Sequence, residues 1–147
     1  MPKSSSLIYH PSTAGDAAVT GLFSGLQGGV AMAAVIVVFS LLAGQGLGYL
    51  ENFSAGARVL PLLGLVMHLA VSCIYGMLYS LVLHWTRVER LHLPGWLSGL
   101  IYALALWTLA VTFLLPAAHS LLLTLPWPVF FCGHVAYGLV LGARRQL

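Results

Sequence analysis

Four apolar stretches dominate the chain, at about 17–43, 59–84, 94–115 and 126–143, and its charged residues all lie outside them, in the connecting segments and the two tails. Each is close to the roughly 20 residues a helix needs to cross a hydrocarbon core. None alternates polar and apolar positions as the strands of a membrane barrel do, and an open sheet in lipid would leave backbone groups unpaired. The pattern predicts an all-α integral membrane four-helix bundle. In the first stretch Ser24, Gln27 and Ser40 are the clear polar groups of the interior. Pro61 suits the first turn of the second, where a missing N–H costs little. Pro94 and Pro116 bound the third, and Pro126 and Arg144 bound the fourth and shortest.

Composition removes the soluble alternative. The chain has 147 residues, 60% hydrophobic and 6% charged, against about 25% charged in ordinary soluble domains. In water so few charges would leave large apolar patches exposed. The expected domain plan is a polar tail at 1–16, one membrane domain at 17–143 and a basic tail at 144–147. The lipid bilayer is the expected surrounding. A retained first span is read in place of a signal peptide, because the apolar run is too long for one and lacks a cleavage site.

The net charge of +3 rests on six Lys and Arg. They lie at helix ends and form no patch, so no nucleic-acid partner is expected. Lys3, Arg87, Arg90, Arg144 and Arg145 fall on one side of the bundle and Arg58 on the other. The positive-inside rule then places both termini in the cytoplasm. Trp85, Trp96 and Trp127 fall at span ends, as an aromatic belt requires. The loop from Gly44 to Arg58, with Tyr49, Leu50 and Phe53, reads as an interfacial segment or an ordinary connection.

A weak internal repeat follows the spans. Gly21-Leu-Phe-Ser24-Gly25-Leu26 opens the first and Gly95-Trp-Leu-Ser98-Gly99-Leu100 opens the third. The second and fourth each carry a His followed by Tyr-Gly: His68 with Tyr75-Gly76, and His134 with Tyr137-Gly138, at unequal spacings. Two related hairpins side by side would form a parallel repeat. Gly21, Gly25 and Gly28 share a face of the first helix, and Gly95 and Gly99 repeat the spacing. Small residues at this period let helices approach closely in lipid. They are read as helix-packing residues, either within the bundle or toward another subunit.

His68 and His134 are the candidate site. His68 lies eight residues after Leu60 and His134 eight after Pro126, roughly 12 Å in from the outer boundary at 1.5 Å per residue. An imidazole at that depth needs a partner. Ser72, Tyr75, Tyr137, Gln27, Thr108 and Thr112 are the side chains at hand, and hydrogen bonding within the bundle is the plainest expectation. The alternative is axial ligation of haem b or another tetrapyrrole, for which His is a standard ligand. A proton or ion path is the third reading. His10, His84, His92 and His119 read as solvated or interfacial groups.

Other chemistry finds little footing. Asp16, Glu51 and Glu89 are the only acids and lie outside the spans or in loops, so no paired acid site forms. P-loop and nucleophile-elbow patterns are absent. Cys73 and Cys132 lie apart in apolar runs and suit neither a disulfide framework nor a metal site. No enzymatic activity and no metal site are expected.

The Gly-rich first span, the His of the second and His134-Val-Ala-Tyr137-Gly138-Leu-Val-Leu-Gly142 together resemble a loose set of small bacterial four-span membrane proteins of unknown function. The resemblance covers about Gly21 to Gly142 and implies a bacterial inner-membrane protein. It carries no catalytic residues. The function expected first is a non-catalytic transmembrane subunit that packs in and stabilises a larger membrane complex, with respiratory and photosynthetic complexes as candidates. The alternatives are a b-type haem or pigment-binding electron-transfer subunit using His68 and His134, and a small self-associating channel or transporter.

Overall fold

The computed structural model describes residues 13–52, 61–86 and 93–143. They form an all-helical bundle. Helix α1 spans Ala14–Leu42, a short α2 spans Gly48–Glu51, and α3 spans Pro61–Thr86. Helix α4 spans Gly95–Leu109 and runs through a π-helical turn, Ala110–Leu114, into α5, Leu115–Ala117. A 3-10 turn, Leu121–Thr124, leads to α6, Trp127–Ala143. Three helices are long and apolar enough to cross a membrane: α1, α3 and the continuous Gly95–Ala117 segment. Helix α6 is shorter, at 17 residues.

The first helix starts earlier than its apolar run. Thr13 caps it, accepting from the Asp16 N–H at 3.1 Å, while the Asp16 carboxylate accepts from the Thr13 N–H at 3.2 Å. This reciprocal box satisfies two otherwise orphaned donors. Asp16, assigned to the tail from the sequence, is therefore part of α1. All six Lys and Arg that set the expected orientation (Lys3, Arg58, Arg87, Arg90, Arg144, Arg145) lie outside the described residues. So do Phe53, His10 and His92.

Close packing joins α1 to α3, α4 to α6, and α1 to α6. The glycines explain the first two. A Cβ on Gly25 would strike the Ser72 carbonyl and Gly76, and one on Gly21 would strike Gly76 and Met77. In the second hairpin, Gly99 lies in the same way against Gly138 and Gly142, and Gly142 against Gly95. Gly28 leaves room for the Tyr137 ring between α1 and α6. The glycine faces are thus spent inside this bundle, and the reading of them as a docking face for another subunit loses its surface. Fully buried Ile36 and Leu141 mark the core, with Met32, Val129 and Phe130 close by.

These contacts fix a register between the hairpins. Gly21–Gly76, Gly25–Ser72 and Gly29–Ser72 correspond to Gly95–Gly142, Gly99–Gly138 and Ala103–Gly138. On that register His68 and His134 are equivalent. Each stands eight residues before the glycine of its pair, Gly76 or Gly142. The Tyr-Gly pairs singled out in the sequence do not correspond, which explains their unequal spacing. The helix ends match as well. Gly44 closes α1 at φ +70°, with Gly44 N–H on the Leu41 carbonyl and Gln45 N–H on the Ser40 carbonyl. His119, at φ +47°, closes α5 by the same two bonds, to Pro116 and from Ser120 to Leu115. Both are Schellman ends. On the register of the glycines Gly44 corresponds to Ala118, one residue short of His119. The π turn takes up the difference, since its wider ring holds one more residue than an α turn.

The candidate functional site, a histidine cavity

The symmetry of the hairpins fails at one place. Helices α1 and α6 pack closely, but the corresponding pair, α3 and α4, do not. The register gives the cause. Where α1 has Gly28 against Tyr137, α4 has Tyr102. Its hydroxyl donates to the Tyr75 carbonyl at 2.8 Å, and its ring lies 5.1 Å from that of Tyr79. Tyr79 in turn donates to Ser98, whose own proton goes to the Gly95 carbonyl. A layer of tyrosines therefore spaces α3 from α4.

Beyond this layer, toward the end of the bundle away from Ala14 and Ala143, lies a cavity of about 250 Å³. Both candidate histidines line it. Ser72, Tyr75 and Tyr137 contribute polar groups, and Leu106 and Ala110 belong to its apolar wall. The π turn gives it Ala110 and Leu114. Helices α1, α3 and α6 and the segment from Leu115 to Leu122 supply the rest, so no single hairpin forms the site.

Each imidazole is satisfied by the main chain. Carbonyl oxygens only accept, so the ring nitrogen donates in both cases. His68 donates through Nε2 to the Gly29 carbonyl at 3.0 Å, across the α1–α3 contact that Gly29 permits. His134 donates through Nδ1 to the Phe130 carbonyl at 2.9 Å, one turn back in its own helix. The Phe130 ring stands edge-on to it at 4.5 Å between centroids. Four of the side chains proposed from the sequence serve elsewhere. Tyr137 donates to the Ser72 carbonyl at 2.9 Å, tying α6 to α3. Thr108 and Thr112 donate to carbonyls of their own helix and face outward, as does Gln27.

The chain matches no known family. Comparison with curated proteins and with solved structures also gives no match. The site must be read from its own chemistry.

That chemistry differs between the two rings. His134, with Nδ1–H on a carbonyl, offers Nε2 as an acceptor or ligand atom, the usual arrangement of a ligating histidine. His68 has Nε2 committed to Gly29. Axial ligation of a haem by both rings would require His68 to use Nδ1 or to release that bond. Among the described residues no three His, Cys, Asp or Glu side chains gather as a metal site. Cys73 and Cys132 are free thiols, half-buried on different helices. His119 is exposed, and Trp85, Trp96 and Trp127 are exposed at helix ends. Trp107 lies inside, edge-on to Phe131 at 5.3 Å.

Sequence reasoning missed Tyr102, Val71, Leu114 and the π turn. Tyr102 became visible only once the glycines were paired, because it occupies the place of Gly28 in the other hairpin.

Proposed function

We propose that this chain is a non-catalytic protein of the bacterial inner membrane that holds a small lipid-soluble molecule in the cavity shared by His68 and His134. The convergence of two buried imidazoles on one cavity carries the reading. Protein interiors pack to the density of organic crystals, and voids much larger than water are few. A bundle that needed only to be stable would fill this space or close α3 onto α4. This one spaces them with Tyr102 and lines the gap with polar groups at hydrocarbon depth, where they are costly. The test is purification into lipid nanodiscs without detergent exchange, followed by solvent extraction and mass spectrometry. One amphiphile near one per chain, depleted in His134→Leu, is the expected result. Only bulk lipid in the extract would overturn the reading. An absorption spectrum of the same sample decides the tetrapyrrole version: a Soret band lost in His68→Ala and His134→Ala would make the occupant a haem or pigment.

A second reading is a subunit within a larger membrane complex. It is supported by the third span, of whose most apolar stretch only 11% is buried, against 39% in α1. Much of that helix is left for lipid or for another chain. Gentle solubilisation and native electrophoresis with the tagged chain would give a discrete larger band containing other polypeptides. A monomer or a self-oligomer alone would remove this reading.

A further inference from the structure

Two departures from the repeated pattern bear on the cavity, the π turn in its lining and Tyr102 through its bond to Tyr75, a lining residue. Tyr102 replaces the glycine that would let α3 and α4 close, and the π turn adds the extra residue that carries Ala110 and Leu114 past it. The gap they keep open has two rims. Val71 on α3 and Leu114 on the π turn both line the cavity, yet they are 47% and 43% exposed. Their outward surface lies along the flank of the bundle, among apolar neighbours such as Ile74 and Phe113 that are exposed in the same way. Both rims are thus apolar and half-exposed.

Size and hydrogen-bonding capacity narrow the occupant. A cavity of roughly 150 Å³ takes a benzene ring, and typical pockets for drug-sized ligands span about 300–1,000 Å³. At about 250 Å³ this one holds a substituted single ring or a group of that bulk, and a longer tail must leave through the gap. The polar atom His134 offers is an acceptor, since its Nδ1–H is held by the Phe130 carbonyl. The complement of a buried acceptor is a donor, and an acceptor left unmatched by a bound ligand weakens binding.

We infer that the cavity takes an amphiphile from the bilayer, entering sideways between α3 and the π turn, with a hydroxyl on a ring-sized head that donates to His134 Nε2 and an apolar tail trailing into lipid. This rests on the ligand-binding reading above and names the class of ligand. The test uses 4-decylphenol and its methyl ether, 4-decylanisole, added to nanodiscs holding the full chain, with occupancy read by native mass spectrometry. The phenol is expected to bind one per chain, about tenfold more tightly than the ether. His134→Leu is expected to erase that preference. Val71→Trp and Leu114→Trp, which leave both histidines in place, are expected to abolish binding of both compounds. Equal binding of the two compounds to the parent protein overturns the hydroxyl assignment, with no variant needed. Undiminished phenol binding in both tryptophan variants overturns the sideways entrance. If neither compound binds but the parent carries a co-purified molecule, the inference fails and the ligand-binding reading stands. If there is no such molecule either, both fail.

Discussion

His68 and His134 hold equivalent positions in two similarly packed hairpins, yet they donate through opposite ring nitrogens. The neighbour decides this. Gly29 brings a carbonyl of α1 against His68, whereas Ala103, its counterpart on α4, packs against Gly138. His134 therefore turns back to its own helix. The sequence identified both rings and their matched depth. It did not find their carbonyl partners, because side-chain donors can be counted along a chain whereas carbonyls freed by close helix approach cannot. His68→Phe is expected to destabilise the bundle by about 1–2 kcal/mol, through loss of one buried hydrogen bond. Thermal unfolding in a fixed detergent would measure it. His119 carries a different cost. A left-handed backbone without glycine costs roughly 1–2 kcal/mol, and Gly44 shows the residue that avoids it. His119→Gly should raise stability by about 1 kcal/mol in the same assay, and an unchanged or lower melting temperature would contradict this account.

At the scale of elements, glycine sets which helices touch. Gly25→Val and Gly99→Val each push a side chain against backbone, and backbone cannot move aside as a flexible side chain can. Each is expected to cost about 2–3 kcal/mol, in the upper range for an overpacked site. Ala34→Val, on an exposed face of α1, should change stability little and serves as the comparison. Tyr102 is the opposite device. Tyr102→Gly should let α3 approach α4, lower accessibility of the cavity and reduce recovery of any co-purified molecule, while far-ultraviolet dichroism stays helical. Deleting Thr112 should convert the π turn to α-helix and withdraw Leu114 from the rim. Ligand recovery after this deletion would separate the role of the turn from that of the tyrosine. The long helices were legible in the sequence because apolar length alone dictates them in lipid. The π turn was not, since no residue in Ala110–Leu114 marks it and it shows only as a difference in length between hairpins.

At the scale of the whole molecule, each hairpin closes on its own glycine contact, and the two join mainly through α1 and α6. Small-residue contacts of this kind drive association within lipid, where no hydrophobic force operates between helices. Two separate chains, 1–89 and 90–147, should therefore assemble when co-expressed. Affinity capture of a tag on one half should recover the other, and Gly28→Leu, which fills the space of the Tyr137 ring, should prevent it. The cavity belongs to this scale too. Its lining comes from both hairpins, and its entrance exists because their mutual packing is tight on one side and open on the other.

The sequence by itself determined that the chain is helical, that it is built for an apolar surrounding, and that two imidazoles lie at similar depth in helices that run the same way. Composition and apolar run length suffice for those, because the requirement to satisfy every backbone group in lipid leaves the helix as the solution. Only the tertiary structure decided that the glycines face inward, that Tyr102 and the π turn hold α3 from α4, and that His134 keeps Nε2 as an acceptor while His68 commits Nε2 to Gly29. Those outcomes depend on which backbone lies opposite which residue. That register is set jointly by contacts from both hairpins and is written in no single stretch of the chain.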